Sequence, residues 1–436
     1  MKYLNKFADK TEYNKNKDNV KVYIIAEDKS IIRNGTSILD IRGVSNAKPD
    51  IILQLNSMDI VPTWDSTNRE FIYKNIYFDT SSTATSFYKT LANYSNGIQS
   101  ITKFKIPSEI TTLNRFFAMS NTNKGTSLTS VDLTALEGHE FTNLYELFSY
   151  QTRLTTVKLP SKFVTEKTTN IIGMFNQCNS LTYVDTSNWN TTNVTSYSKL
   201  FSSTKIEPIN LTSFNTNKAT DFSHMFHYWS GSTIVGASNI NVSNATDLSY
   251  MFDGVKATSP LGISSSFSSD TQNAETMECM FANSSPNNYL DGIYNSLNTK
   301  TTTNMAAMFL KSFHHGNDDP VEITLKYNIG NVTNFSNMFD NANVKKITFS
   351  HPLTSASNKK SNINMDGMVS GSSSLEEIIF PEFLEPTSIT SLNMFNGCNN
   401  LKRITCSDNL YSLISGITYT TNNGSKVVSS LTRGRY

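Results

Sequence analysis

Apolar residues return along this chain in one short phrase. "NVTSYSKLF" at 193–201, "NATDLSYMF" at 244–252 and "NVTNFSNMF" at 331–339 each run from an Asn to a closing Phe. Inside the first, Val194, Tyr197, Leu200 and Phe201 fall three or four apart, the spacing of one helical face. A Thr or Asn stands at the start, where its side-chain oxygen caps free amides, so a short helical turn is predicted. Some ten residues past the Phe comes a short alternating stretch: "VKL" at 157–159, "INL" at 209–211, "ITF" at 347–349, "IIF" at 378–380 and "ITC" at 404–406. Alternation of period two predicts a strand with one side chain inward and the next outward.

With the closing aromatic as marker, the unit recurs at Phe117, Phe148, Phe175, Phe201, Phe226, Phe252, Phe281, Phe309, Phe339 and Phe395. Val369 fills the slot before the last, and Leu91 marks a degenerate first copy. Steps of 25 to 31 residues, held over about twelve copies, predict a solenoid. One such unit cannot bury its own apolar edge, whereas stacked units pair their strands into a parallel ladder with the Phe residues as a core stripe behind it. The expected fold class is therefore an α/β repeat solenoid, leucine-rich-repeat-like, with short helical turns and a small N-terminal β module. The recurring Asn193, Asn244 and Asn331 sit where the chain turns a corner, and their amides are expected to satisfy backbone groups there.

In three copies the strand arrives late, after the segments 118–127, 227–236 and 311–320. Inserts on a solenoid map to loops on one rim, where binding residues are often found. The candidate binding loops hold Asn121, Asn123 and Lys124 in the first, and Tyr228 and Trp229 in the second. The third holds His314, His315, Asp318 and Asp319. Tyr228 and Trp229 suit either stacking on a sugar or covering the coil edge. The His and Asp residues are the one close gathering of metal-ligand types. They lack the fixed spacing of strong metal sites, so a polar loop without an ion is expected.

Residues 1–85 lie outside the repeat. "NVKVYIIAEDKSIIRNG", "DIILQL" and "EFIYKNIYF" predict a β-rich module that docks or caps, because an open sheet edge invites aggregation. Residues 86–410 form the repeat region, and 411–436 a hairpin cap turning at Asn422-Asn423-Gly424, with a short basic tail.

Composition narrows the function. The chain of 436 residues is 38% hydrophobic and 17% charged, with more than a third Asn, Ser and Thr, and 11% aromatic content argues for a packed core. A net charge of +1 offers no basic face for nucleic acid. No apolar run reaches the ~18 residues of a membrane span. Cys178, Cys279, Cys398 and Cys406 are too sparse for a disulfide scaffold and lack paired metal spacing, so reduced, packed thiols are expected. There is no nucleophile elbow, Gly-rich phosphate loop or zinc-protease motif, and Glu376 and Glu377 point to opposite faces of a strand. We expect no enzyme and no cofactor. The opening "MKYLNKFADKTEYNKNKDNV" has no apolar core of signal-peptide length, so export by that route is not expected.

The units "NIIGMFNQCNSLTYVDTSNWNTTNVTSYSKLF" and "ITSLNMFNGCNNLKRITCSDN" resemble the BspA-like leucine-rich repeats of mycoplasma-type surface lipoproteins. In their pattern Met-Phe is followed by a Cys and a Leu, as at Cys178 with Leu181 and Cys398 with Leu401. The resemblance spans residues 85–410 and implies a solenoid that binds proteins and surfaces, usually as an adhesin. The opening "MKYLNKFADKTEYN" resembles instead the start of tail, fibre and appendage proteins of phages infecting gut Bacteroidetes. Together these lead us to expect a virion structural protein, present in several copies. It would contact other virion proteins and a host surface protein or polysaccharide. The alternative is a bacterial surface adhesin.

Overall fold

The computed structural model describes residues 111–119, 128–290, 292–314, 319–351 and 362–434, together with the backbone of the strands before residue 106. The chain divides into two compact units, Met1–Asn215 with Ile234–Gly236, and Thr216–Thr233 with Ala237–Tyr436. Each is built from parallel β-solenoid coils.

In the first unit, the strands Ser100–Lys105, Ser130–Asp132 and Thr156–Lys158 pair in parallel, one per coil. Before them, Thr63–Asp65, Glu70–Asp79, Thr36–Gly43 and Val22–Ile25 lie side by side in that order, each antiparallel to the next. The last of these, Val22–Ile25, lies parallel on Ser100–Lys105, so the N-terminal strands continue the coil ladder. In the second unit, Val321–Leu325, Val344–Phe349, Glu377–Ile379 and Arg403–Thr405 pair in parallel, with Thr432–Gly434 added at the end. Ile347, Ile378 and Ile404 sit in register and point inward, all buried, as their alternation dictates.

The segments ending in the markers are not helical. Among the described residues the α-helices are Phe267–Asp270, Pro286–Tyr289 and Asp408–Ile414, and none contains a marker. The helical half of the α/β, leucine-rich-repeat-like expectation is corrected accordingly. Val194, Tyr197, Leu200 and Phe201 are all buried, yet a different backbone brings them inward. From Phe148 onward, every marker is flanked two residues before and two after by a residue with positive φ. Glu146 and Tyr150 have φ of 49° and 64°, Tyr250 and Gly254 of 60° and 71°, and Asn337 and Asn341 of 54° each. A left-handed residue ends a right-handed helix at once. Its amide then points sideways, and the chain climbs in alternation. Met174 N donates to Ile171 O within the coil, and Phe148 N donates to Met174 O of the next. The same bond between coils runs from Phe252 to Met280, Phe281 to Met308, Phe309 to Met338 and Phe339 to Met368.

That register also stacks the rings. In the first unit Phe117, Phe148, Phe175 and Phe201 lie nearly parallel, with centroids 5.4, 5.8 and 6.4 Å apart. In the second, Phe226, Phe252, Phe281, Phe309 and Phe339 follow at 5.7, 5.9, 5.6 and 5.2 Å. All ten marker phenylalanines and Val369 are fully buried. Beyond the last marker, Tyr419 packs on Phe395 at 5.9 Å. Tyr419 belongs to the hairpin Thr418–Thr421 and Gly424–Val427, whose Thr420 O accepts the left-handed Gly397 amide. The hairpin thus takes the place of one more coil.

Polar side chains satisfy the backbone that the short strands leave open. Asn193 Nδ2 donates to Glu166 O, Asn244 to Asn217 O and Asn331 to Lys300 O, at 2.8, 2.7 and 2.6 Å. Buried Thr191, Thr271 and Thr299 each donate to a carbonyl of the next coil. Three residues after a marker, Cys178 Sγ donates to Phe148 O, Ser312 to Phe281 O, Ser372 to Phe339 O and Cys398 Sγ to Val369 O. The Cys of the repeat is therefore a hydrogen-bond donor with an apolar body. Burial pushes the Cys398 thiol up to about 12 and that of Cys178 higher, so both stay protonated.

Two stability measurements check this packing. Phe281→Ala, which removes a ring stacked on both sides, is expected to cost about 3–5 kcal/mol in urea unfolding, and Phe281→Leu clearly less. Cys398→Ser, which keeps the donor, should change stability by under ~0.5 kcal/mol, while Cys398→Ala should cost about 1–2 kcal/mol.

Candidate binding face

Left-handed positions turn their side chains away from the ring stack, and on three successive coils of the second unit they carry a cluster of titratable and aromatic groups. His224 and Tyr250 each stand two residues before a marker, and Tyr228 stands two after one. The rings of His224 and Tyr250 lie parallel, with centroids 4.4 Å apart. His227 meets His224 at 5.1 Å, and meets Tyr228 at 4.7 Å with the two planes at 90°.

Two carboxylates lie beside these rings, and both are occupied. His227 Nε2 is 3.2 Å from Asp253 Oδ2, and Asn283 Nδ2 donates to Asp253 Oδ1 at 2.8 Å. Tyr250 donates its hydroxyl to Glu278 Oε1 at 3.2 Å, and Asn304 Nδ2 donates to Glu278 Oε2 at 3.0 Å. The Tyr250 phenol is pushed up first by its hydrogen bond with the Cys279 thiol, then by burial and the Glu278 charge. Burial raises the Tyr228 phenol, aided by Asp253, and pushes the Cys279 thiol up to about 11. These groups stay neutral and suit binding by hydrogen bond and ring contact.

Tyr228 is 47% exposed at the outer end of this cluster. Its ring lies over Gly254, where a Cβ would come within 2.6 Å of the ring carbon Cδ1. The φ of 71° suits glycine at 254, and the ring seated on it is what excludes a side chain, since equivalent left-handed places hold Tyr150, Gln177 and Lys311.

The sequence-predicted site residues fare differently. Trp229 is a correction: it is fully buried, its ring packed against Phe226 at 6.0 Å, and it presents nothing to a ligand. The side chain after an exposed left-handed residue turns inward here, which leaves Tyr228 outside and Trp229 in the core. His314 is exposed, with Nε2 2.7 Å from Asn341 O, and Asp319 is exposed too. His314 borders a cleft of about 560 Å³ whose other walls include Lys311, Asn343 and Ser373. Asn121, Asn123, Lys124, His315 and Asp318 lie outside the described residues. Among the described residues no three His, Cys, Asp or Glu side chains are grouped to hold a metal ion, and no helix is long and apolar enough to cross a membrane. Glu376 and Glu377 are each held by a separate cation, Lys402 at 2.9 Å and Lys346 at 2.8 Å. Sequence reasoning missed His224, His227, Tyr250, Asp253 and Glu278. The available signal was the repeat itself, which sets His224 and Tyr250 at equivalent places before Met-Phe.

Four overlapping stretches, 111–234, 142–265, 211–319 and 262–383, match the family described as "Mycoplasma protein of unknown function, DUF285". Together they run from residue 111 to 383, more than half of the chain. The chain belongs to the DUF285 family. No curated protein and no solved structure matches it. The DUF285 stretches overlap, as expected where one unit repeats, and contain the whole His–Tyr cluster.

Gly254→Ala is expected to lower stability by about 1–2 kcal/mol, since the new Cβ meets both the left-handed backbone and the Tyr228 ring. Thermal unfolding with near-ultraviolet circular dichroism reads the loss and the displaced tyrosine together.

Proposed function

We propose that this chain is a structural binding protein of a phage virion, a tail, fibre or other appendage component. Its N-terminal strands dock onto the particle, and its coils present an outer face to neighbouring virion proteins or to the host envelope. The observation that carries this reading is the separation of duties within each coil. The marker ring and the buried donors hold the stack, while most left-handed positions, such as Lys199, Tyr228, Lys311 and Asn337, turn varied side chains outward. Such a surface binds through many modest contacts, and several copies on one particle multiply them by avidity. The opening "MKYLNKFADKTEYN", with its resemblance to phage appendage proteins, supports the virion setting. The buried Cys178 with Leu181 and Cys398 with Leu401 support the finer classing of the repeats as BspA-like.

A second reading, a bacterial surface adhesin, is favoured by the family description, which speaks of Mycoplasma proteins rather than of viruses. Quantitative mass spectrometry of gradient-purified virions separates the two. The first reading expects this chain in fixed proportion to known particle proteins across the gradient. Its absence there, with recovery in the host cell envelope fraction, establishes the second.

A further inference from the structure

We propose that Tyr228 is a stacking platform for a pyranose ring, the contact by which this coil face holds a polysaccharide. The proposal deepens the surface-binding reading above and rests on it.

The position of the ring carries the argument. One face of Tyr228 is seated on the backbone of Gly254, and the residue is 47% exposed away from that seat. A half-exposed aromatic ring flat against one coil is a fixed, planar, apolar surface. It loses little freedom when a ligand covers it, because seat and neighbour already hold it. The neighbour is His227, standing perpendicular to the ring at 4.7 Å and itself anchored on buried Asp253.

The chemistry favours a sugar over a cation. A pyranose offers C–H bonds on one face and hydroxyls around its rim. The electron-rich face of Tyr228 suits the former, and its own hydroxyl suits the latter. An arginine or lysine of a protein partner would meet the ring face alone, with no free carboxylate beside it to pair with. Asp253 and Glu278 each already accept from two partners.

The test is saturation-transfer NMR on the full chain with methyl glycosides of glucose, galactose, mannose and N-acetylglucosamine, and with arginine ethyl ester as the cation probe. At least one glycoside should receive saturation on its ring C–H protons. Tyr228→Asn should weaken that glycoside about tenfold, and Tyr228→Phe should hold it within about threefold. Asn suits the left-handed backbone, so the thermal midpoint of Tyr228→Asn should match or exceed that of the parent. No glycoside binding to the parent chain overturns the proposal. So does binding that survives Tyr228→Asn, or binding of the arginine ester alone, which would assign the face to a protein partner. The titration reads the isolated chain, so absence of the chain from virions leaves its result standing. Loss of sugar binding, in turn, leaves the virion reading standing.

Discussion

One hydrogen bond organises each unit: the amide of a marker phenylalanine donates to the carbonyl of the residue before the next coil's marker. That bond sets the register, and the register lays each ring over the next, with spacings from 5.2 to 6.4 Å. Offset parallel rings contribute about 0.5–1.5 kcal/mol per pair beyond the area they bury. The bond is geometrically available because the residues two before and two after the marker are left-handed. Those two positions turn alternate amides outward from the coil, as an extended strand would, while i to i−3 bonds keep the segment compact. The coil thus combines the lateral pairing of a sheet with the tightness of a turn.

This arrangement accounts for a polar chain with a packed interior. Strands of two to six residues leave much of each coil's backbone unpaired within the sheets. An orphaned buried amide or carbonyl costs about 1–3 kcal/mol, so each coil requires side-chain partners. Asn, Thr and Ser supply them through short, stiff side chains that reach one coil away. Their oxygens also fold back on the amide two residues on, as Asn143, Asp247 and Asn334 do, pinning the approach to each marker. The abundance of these residues, which on composition alone suggests a solvated chain, is in large part internal structure.

The period, the marker ring and the strands were legible in the sequence because each is a side-chain property repeated at fixed intervals. Strands at 157–159, 347–349, 378–380 and 404–406 fall within one residue of the observed ends, or inside a longer strand. The turn geometry was not legible. Apolar residues three and four apart signal one buried face, and a run of turns with left-handed corners buries that face as well as a helix does. The distinguishing sign, Gly or Asn two residues from the marker, appears in Gly367, Gly371, Asn393 and Gly397. Glu146, Tyr150 and Lys199 obscure it. Of the candidate site, Tyr228 was legible as an aromatic in an insert. The rest of the cluster comes from three coils far apart in sequence, and alternation around the marker, which places Trp229 inside, follows only from the backbone.

The left-handed positions also separate stability from surface chemistry. Their backbone conformation and amide bond belong to the fold, whereas the side chains they carry at 224, 228 and 250 make no part of the ring stack. Exchange of such a side chain alters the outer face while the bond between coils persists, within the modest strain a larger residue adds. A coil is therefore a unit that keeps its core chemistry constant and leaves its surface free to change. Gly254 shows a limit of that freedom: with the Tyr228 ring lying over it, this position has no room for a side chain of its own, whereas His224 and Tyr250 share the equivalent place before the marker by stacking. At Tyr228 the outer face is thus built by a pair of coils, one providing the ring and the next providing its seat.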